Sequence, residues 1–114
     1  MLLIKGGTLH TMEAEGTLRA DLLACSGKIA GIAPHIDPPE GAEVFDAAGL
    51  EVYPGIIDAH SHIGISEEKI GVQGDDCNEG TNPVTPCLRA IDAINPMDSA
   101  FHNALAAGIT GAMI

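Results

Sequence analysis

Up to about residue 53 the apolar positions come in short runs broken by Gly, Ser and Pro, and the runs predict short strands joined by tight turns. "LLIK" and "TLHTM" flank Gly6-Gly7, where positive φ carries no steric penalty, so a turn is expected there. "ADLLAC" and "KIAGIA" flank Ser26-Gly27, the composition of a hairpin loop. "PHIDPPEGA" is a Pro-rich break, and "EVFDAAGLEVY" offers two more short strands around Ala48-Gly49. Apolar residues fall on both faces of these strands, as suits a small sandwich packed against something else.

The pattern changes after Tyr53. "GIIDA" is a short, continuously apolar run, the signature of a strand buried on both faces in a parallel sheet. A polar stretch rich in Gly, Pro and Asn follows to about Asn95 and includes "GDDCNEGTNPVTP"; connections of this length are usually functional or disordered. "NPMDSAFHNALAAG" predicts a helix with Asn95 as N-cap, Pro96 in the first turn, Phe101 and Leu105 on one face, and Gly108 as the stop. "ITGAMI" restarts a strand. Strand, loop, helix and strand make one βαβ unit, which needs a parallel sheet whose faces are covered by other elements.

Composition narrows the function classes. The 114 residues carry 16 acidic and 5 basic side chains, a formal net charge of −11. That balance argues against nucleic acid or an anionic membrane as partner, since both require a basic footprint, and leaves small molecules and cations. No apolar stretch approaches the roughly 20 residues that span a bilayer, and "MLLIKGGTLH" lacks the regions of a signal peptide. Cys25, Cys77 and Cys87 are an odd number without a close pair, which reads as reduced thiols in a cytoplasmic protein.

"YPGIIDAHSHIG" carries the chemistry. Alternation along a strand places Asp58, His60 and His62 on one face, with Ile57, Ala59 and Ser61 on the other. Two imidazoles about 6.5–7 Å apart along a strand converge on one ion if the strand end bends, and imidazole nitrogen suits zinc, iron, nickel or manganese-class ions. Ligand histidines commonly give their second ring N–H to a carboxylate, and Asp58 is the candidate acceptor. Position strengthens this reading, because parallel α/β folds bind ligands at the carboxyl ends of their strands.

These residues resemble a known family. "PGIIDAHSHIG" is similar to the first-strand signature of the amidohydrolase superfamily, Pro-Gly-apolar-apolar-Asp-x-His-x-His. "IKGGTLHT", "ADLLACSGKIAGIAP" and "EVFDAAGLEVYPG" resemble the N-terminal sandwich strands of its imidazolonepropionase-like and dihydroorotase-like branches, and "NALAAGITGAMI" the helix and second barrel strand. The resemblance implies an α/β fold: residues 1–53 as part of a small N-terminal β-sandwich, and residues 54–114 as the first βαβ unit of a metal-dependent (β/α)8 TIM-like barrel. It implies His60 and His62 as ligands of a divalent metal, zinc above all, with Asp58 behind them. The activity it implies is hydrolysis of non-peptide C–N bonds in a small cyclic amide, amidine or related substrate by a metal-activated hydroxide. A homo-oligomer is left open for the full-length enzyme. Further ligands and the general base of such enzymes come from later strands, and a barrel takes about 250 residues. The sequence therefore reads as the N-terminal piece of a longer enzyme, with no catalytic residue of its own and no activity alone. The alternative is a small standalone metal-binding or interaction module.

The remaining polar residues have plainer readings. His10, His35 and His102 lack companions at ligand spacing. Glu67, Glu68, Asp75, Asp76 and Glu79 read first as a solvated acidic loop and second as a rim that recognises a substrate or cation. Arg89 is a candidate carboxylate binder. Ser61 faces away from the imidazoles and is not expected to act as a nucleophile.

Overall fold

A computed structural model describes all residues, 1–114. Its contacts divide the chain into two compact units, Met1–Pro54 and Gly55–Ile114.

The first unit is one five-stranded sheet. Strands β1 (Leu2–His10), β2 (Thr17–Cys25) and β3 (Lys28–Ala33) form an antiparallel meander. Ser26 and Gly27 join β2 to β3 with φ of +50° and +74°, a two-residue turn whose twist matches the flanking strands. On its other edge β1 takes two short parallel partners in succession. β4 (Glu43–Asp46) pairs with Leu2–Lys5, and β5 (Glu51–Val52) pairs with Thr8 and Leu9. The strands form one hydrogen-bonded sheet. Leu3, Leu9, Ala20 and Ala47 are its buried apolar residues. Phe45, Val44 and Ile29 are largely exposed, which leaves apolar sheet surface uncovered.

Gly6-Gly7 does not turn the chain. It lies inside β1 as a bulge, marked by a register shift between Ile4 and Gly7. Gly6 has φ +70°, and its N–H donates to Asp21 Oδ1 at 2.8 Å. Asp21 is 3% exposed and takes a second N–H, from Ile36, on Oδ2 at 2.9 Å, with Lys5 Nζ at 3.8 Å. One buried carboxylate thus secures both the bulge and the loop after β3. These N–H groups, that of Ile36 foremost, hold its pKa below the ordinary carboxylate value.

At the end of β1, His10 binds to both sides. Its Nδ1 meets Thr17 Oγ1 at 3.0 Å, its Nε2 meets Glu51 Oε2 at 2.5 Å, and its ring stacks on Tyr53 with centroids 4.2 Å apart.

In the second unit, β6 (Ile56–Asp58) pairs in parallel with β7 (Ile109–Ala112), and α1 (Ser99–Ala106) lies between them in sequence. This is the expected βαβ unit. Ile56 and Ile57 are 56% and 78% exposed, against the expectation of a strand buried on both faces. Only one strand pairs with β6, so its faces lack the layers that would cover them. The helix begins later than the sequence suggested. Asp98 is the N-cap, accepting from the Ala100 N–H at 3.1 Å, while Asn95 Oδ1 holds the Met97 N–H one turn earlier. Gly108, with φ +90°, ends the helix as expected. Phe101 is half-buried, but Leu105 is exposed, so the two do not share a buried face. No helix is long and apolar enough to cross a membrane.

Candidate metal centre

Strand β6 ends at Asp58, so His60 and His62 lie in the irregular segment beyond it rather than on one strand face with Asp58. That segment is tied on both sides. Met113 N–H donates to the Asp58 carbonyl at 2.9 Å, and Ser61 N–H donates to the Met113 carbonyl at 2.8 Å, which extends the link to β7. After His62 the chain turns: the His62 carbonyl accepts from Ile65 N–H at 3.1 Å and from Ser66 N–H at 2.9 Å. The two imidazoles come together between these ties, with centroids 5.1 Å apart and planes inclined by 51°. Both are exposed.

Asp58 is placed differently from the sequence reading. Its Oδ1 accepts from the His60 backbone N–H at 3.1 Å, so the carboxylate fixes the chain at His60 and not an imidazole N–H. Ser61 Oγ accepts from the Ile63 N–H at 3.1 Å, a local turn contact.

The loop after His62 folds back on itself. Ser66 bridges to Asp75, Glu67 N–H reaches the Gly74 carbonyl at 2.8 Å, and Asp76 N–H reaches the Ile65 carbonyl at 2.9 Å. Gly74 permits this approach, since a Cβ there would stand 2.9 Å from Glu67 Cβ. The fold-back brings Cys77 Sγ to 3.5 Å from His62 Nδ1. Hydrogen bonding to Asp75 is the main cause that raises the Cys77 pKa, assisted by partial burial and the charges of Asp75 and Asp76. The same bond lowers the Asp75 pKa, together with the Cys77 N–H and the neighbouring His62.

His60 and His62 line a cavity of about 780 Å³ with Asp76, Cys77, Glu79 and Arg89. Arg89 pairs at the surface with Asp92 of its own loop, through Nε at 3.1 Å and Nη2 at 2.9 Å. Glu79 is held by the Thr81 N–H and hydroxyl, which lower its pKa. Glu67 and Glu68 accept from the side-chain amides of Asn95 and Asn103 at 2.7 and 3.2 Å. The acidic loop is therefore partly structural, and only Asp76 and Glu79 among its carboxylates reach the cavity wall. His10 and His35 belong to the other unit, and His102 is exposed on α1.

The donor set fits a metal ion as two of its ligands. No group of three or more His, Cys, Asp or Glu side chains is arranged to hold an ion. The contact of Cys77 with His62 and the contribution of residues 88–93 to the cavity were not readable from the sequence, since both depend on loop fold-back without a local signal.

No protein-family model matches the chain. Among curated proteins it is 38% identical over 82 residues to "Amidohydrolase tasK" of Hapsidospora irregularis, which covers 71% of this chain and 8% of that protein. It is 51% identical over 61 residues to a D-hydantoinase of Geobacillus stearothermophilus, covering 54% of this chain and 12% of that protein. Among solved structures, an amidohydrolase from Thermotoga maritima MSB8 superposes with a TM-score of 0.90 at 40% identity, covering 100% of this chain and 29% of that one. The chain thus spans about a tenth of the curated relatives' length and under a third of the solved structure. It is homologous to the N-terminal segment of the amidohydrolases.

Proposed function

We propose that this chain contributes His60 and His62 as the first two ligands of a divalent metal, zinc in the first instance, in a metal-dependent amidohydrolase with a (β/α)8 barrel. The reaction is hydrolysis of a non-peptide C–N bond in a small cyclic amide, amidine or related substrate, the class to which the hydantoin of the D-hydantoinase relative belongs. The reading is carried by the convergence of the two imidazoles, 5.1 Å apart, just past the carboxyl end of a parallel strand. A bound divalent ion supplies Lewis-acid polarisation of the substrate carbonyl and lowers the pKa of water.

The chain's own residues prepare that position. Asp58 and Ser61 fix the backbone on either side of His60 through the His60 N–H, the Met113 carbonyl and the Ile63 N–H. Cys77 engages Nδ1 of His62, which orients that ring and leaves Nε2 for ligation. The cavity wall gives the substrate Leu88, Ala93 and Met113 as apolar contacts beside Asp76 and Glu79. Arg89, exposed and paired at the surface with Asp92, also lines this wall and is placed to meet an anionic group of the substrate. Two ligands do not close a metal shell, so the 114 residues alone are inactive. The three free cysteines accord with a cytoplasmic location.

The test is ring opening of hydantoin by the whole protein, with metal analysis of the same preparations. His60→Ala and His62→Ala should lose bound metal and nearly all turnover, whereas Asp58→Asn, whose amide oxygen can still accept from the His60 N–H, should lose far less than either. Full metal content and near-normal turnover in His62→Ala would refute the ligand assignment.

A further inference from the structure

We propose that Asp98 is a positioning residue for the imidazole pair, its single carboxylate both capping α1 and anchoring the turn that carries His62. The inference rests on the reading of His60 and His62 as metal ligands. Asp98 is 7% exposed. Its Oδ1 accepts from Ala100 N–H at 3.1 Å, which is all a helix cap requires. Its Oδ2 instead reaches 34 residues back to the Gly64 N–H at 3.2 Å. The Gly64 carbonyl accepts from Asn95 N–H at 2.8 Å, so both backbone groups of Gly64 end on the segment leading into α1.

Gly64 sits inside the turn closed by the His62 carbonyl, two residues beyond the imidazole. It has φ +78°, and a Cβ there would stand 2.8 Å from Phe101 Cε2 and 3.1 Å from Ile94 Cγ2. The turn is thus pressed against α1 and bound to it by a charge-assisted hydrogen bond, stronger than a neutral one. His62 is held between two anchors: Ser61 on the Met113 carbonyl and Gly64 on Asp98. Releasing the second frees the His62 side of the pair while leaving the β7 link intact.

Two substitutions separate anchor from cap. Asp98→Asn offers one carbonyl oxygen, which caps Ala100, while its NH2 opposes the Gly64 N–H. Asp98→Ser caps Ala100 but is too short to reach Gly64. Ala106→Gly weakens α1 at an exposed position without touching the turn. Cobalt(II) alone is titrated into the full chain and followed by visible absorption, and the ring-to-ring NOE of His60 and His62 is measured without metal. Both Asp98 variants should bind cobalt about 10-fold more weakly and lose the NOE. Ala106→Gly should lower the thermal midpoint and change neither readout. Equal loss in Ala106→Gly, or unchanged affinity and NOE in both Asp98 variants, overturns the proposal. An NOE lost only in the Asp98 variants, with cobalt bound independently of His60 and His62, supports the anchor and sinks the ligand reading. Hydrogen exchange in the unmodified chain covers the case in which the variants do not fold: the Gly64 amide should be protected, and exchange at the open-chain rate overturns the anchor.

Discussion

Gly7→Ala tests the packing of the discontinuous edge of the first unit. Gly7 is buried in the β1 bulge, and a Cβ there would stand 2.8 Å from Val52 Cγ2 and 3.2 Å from Ala47 Cβ. The first distance is shorter than real Cβ contacts, so β5 or the Val52 side chain must shift. Forcing one extra methyl into a packed site costs about 1–3 kcal/mol, and β5 holds β1 through only two residue pairs. We expect about 2 kcal/mol of destabilisation, or a urea midpoint lowered by roughly 1–2 M for a unit of this size. Val52→Ala alone should cost about 1 kcal/mol, for a half-buried side chain losing two methyls. The double variant should recover most of the Gly7→Ala loss, a coupling of about 1–2 kcal/mol between touching residues. Tyr53 fluorescence reads the transition, because it is the one tyrosine, there is no tryptophan, and its ring stacks on His10 beside Val52. Additive losses in the double variant, or an unshifted midpoint in Gly7→Ala, would refute the clash.

Two other outcomes follow from groups already described. Asp21 has a folded pKa below its unfolded value, so its contribution is full above the unfolded carboxylate pKa and is lost as pH falls from there through the folded value. Asp21→Asn should lower stability at neutral pH and flatten its fall in acid; parallel acid-unfolding curves for the two proteins would contradict this. Zinc binding by the 114 residues should be weak and lost in His60→Ala/His62→Ala, and it should weaken further in acid because imidazole must be neutral to ligate. Calorimetry showing nanomolar zinc affinity would mean that a complete site exists within this chain, in favour of the standalone module.

Elements with local causes were legible in the sequence. Ser26-Gly27 specifies its turn by the positive φ of two adjacent residues, and Gly108 stops α1 for a similar reason. The parallel pairing of β6 with β7 follows from an apolar run, a helix and a second apolar run. What failed had a distant cause. Gly6-Gly7 signals a turn or a bulge equally well, and the choice is made by Asp21, 15 residues away. Asn95 and Asp98 are both good caps, and Asp98 caps the helix while also holding Gly64. The exposure of Ile57 depends on what lies beside β6, which alternation does not encode. At the centre, the histidine pair was legible from its spacing, whereas Cys77 joins His62 only because residues 66–76 double back.

The interrupted edge made by β4 and β5 bears on the order in which the first sheet assembles. β1, β2 and β3 are neighbours along the chain, and their hairpin contacts close on a timescale of microseconds. β4 must instead bring Glu43 back to Leu2, and β5 must bring Glu51 back to Thr8, with no turn to guide either return. Such separated pairings bear the loop-closure entropy before any contact rewards it, and so they form late. During synthesis β1 therefore waits with one edge open until Val52 has emerged. The sheet is sealed only when its last strand, β5, has left the ribosome, just ahead of the second unit.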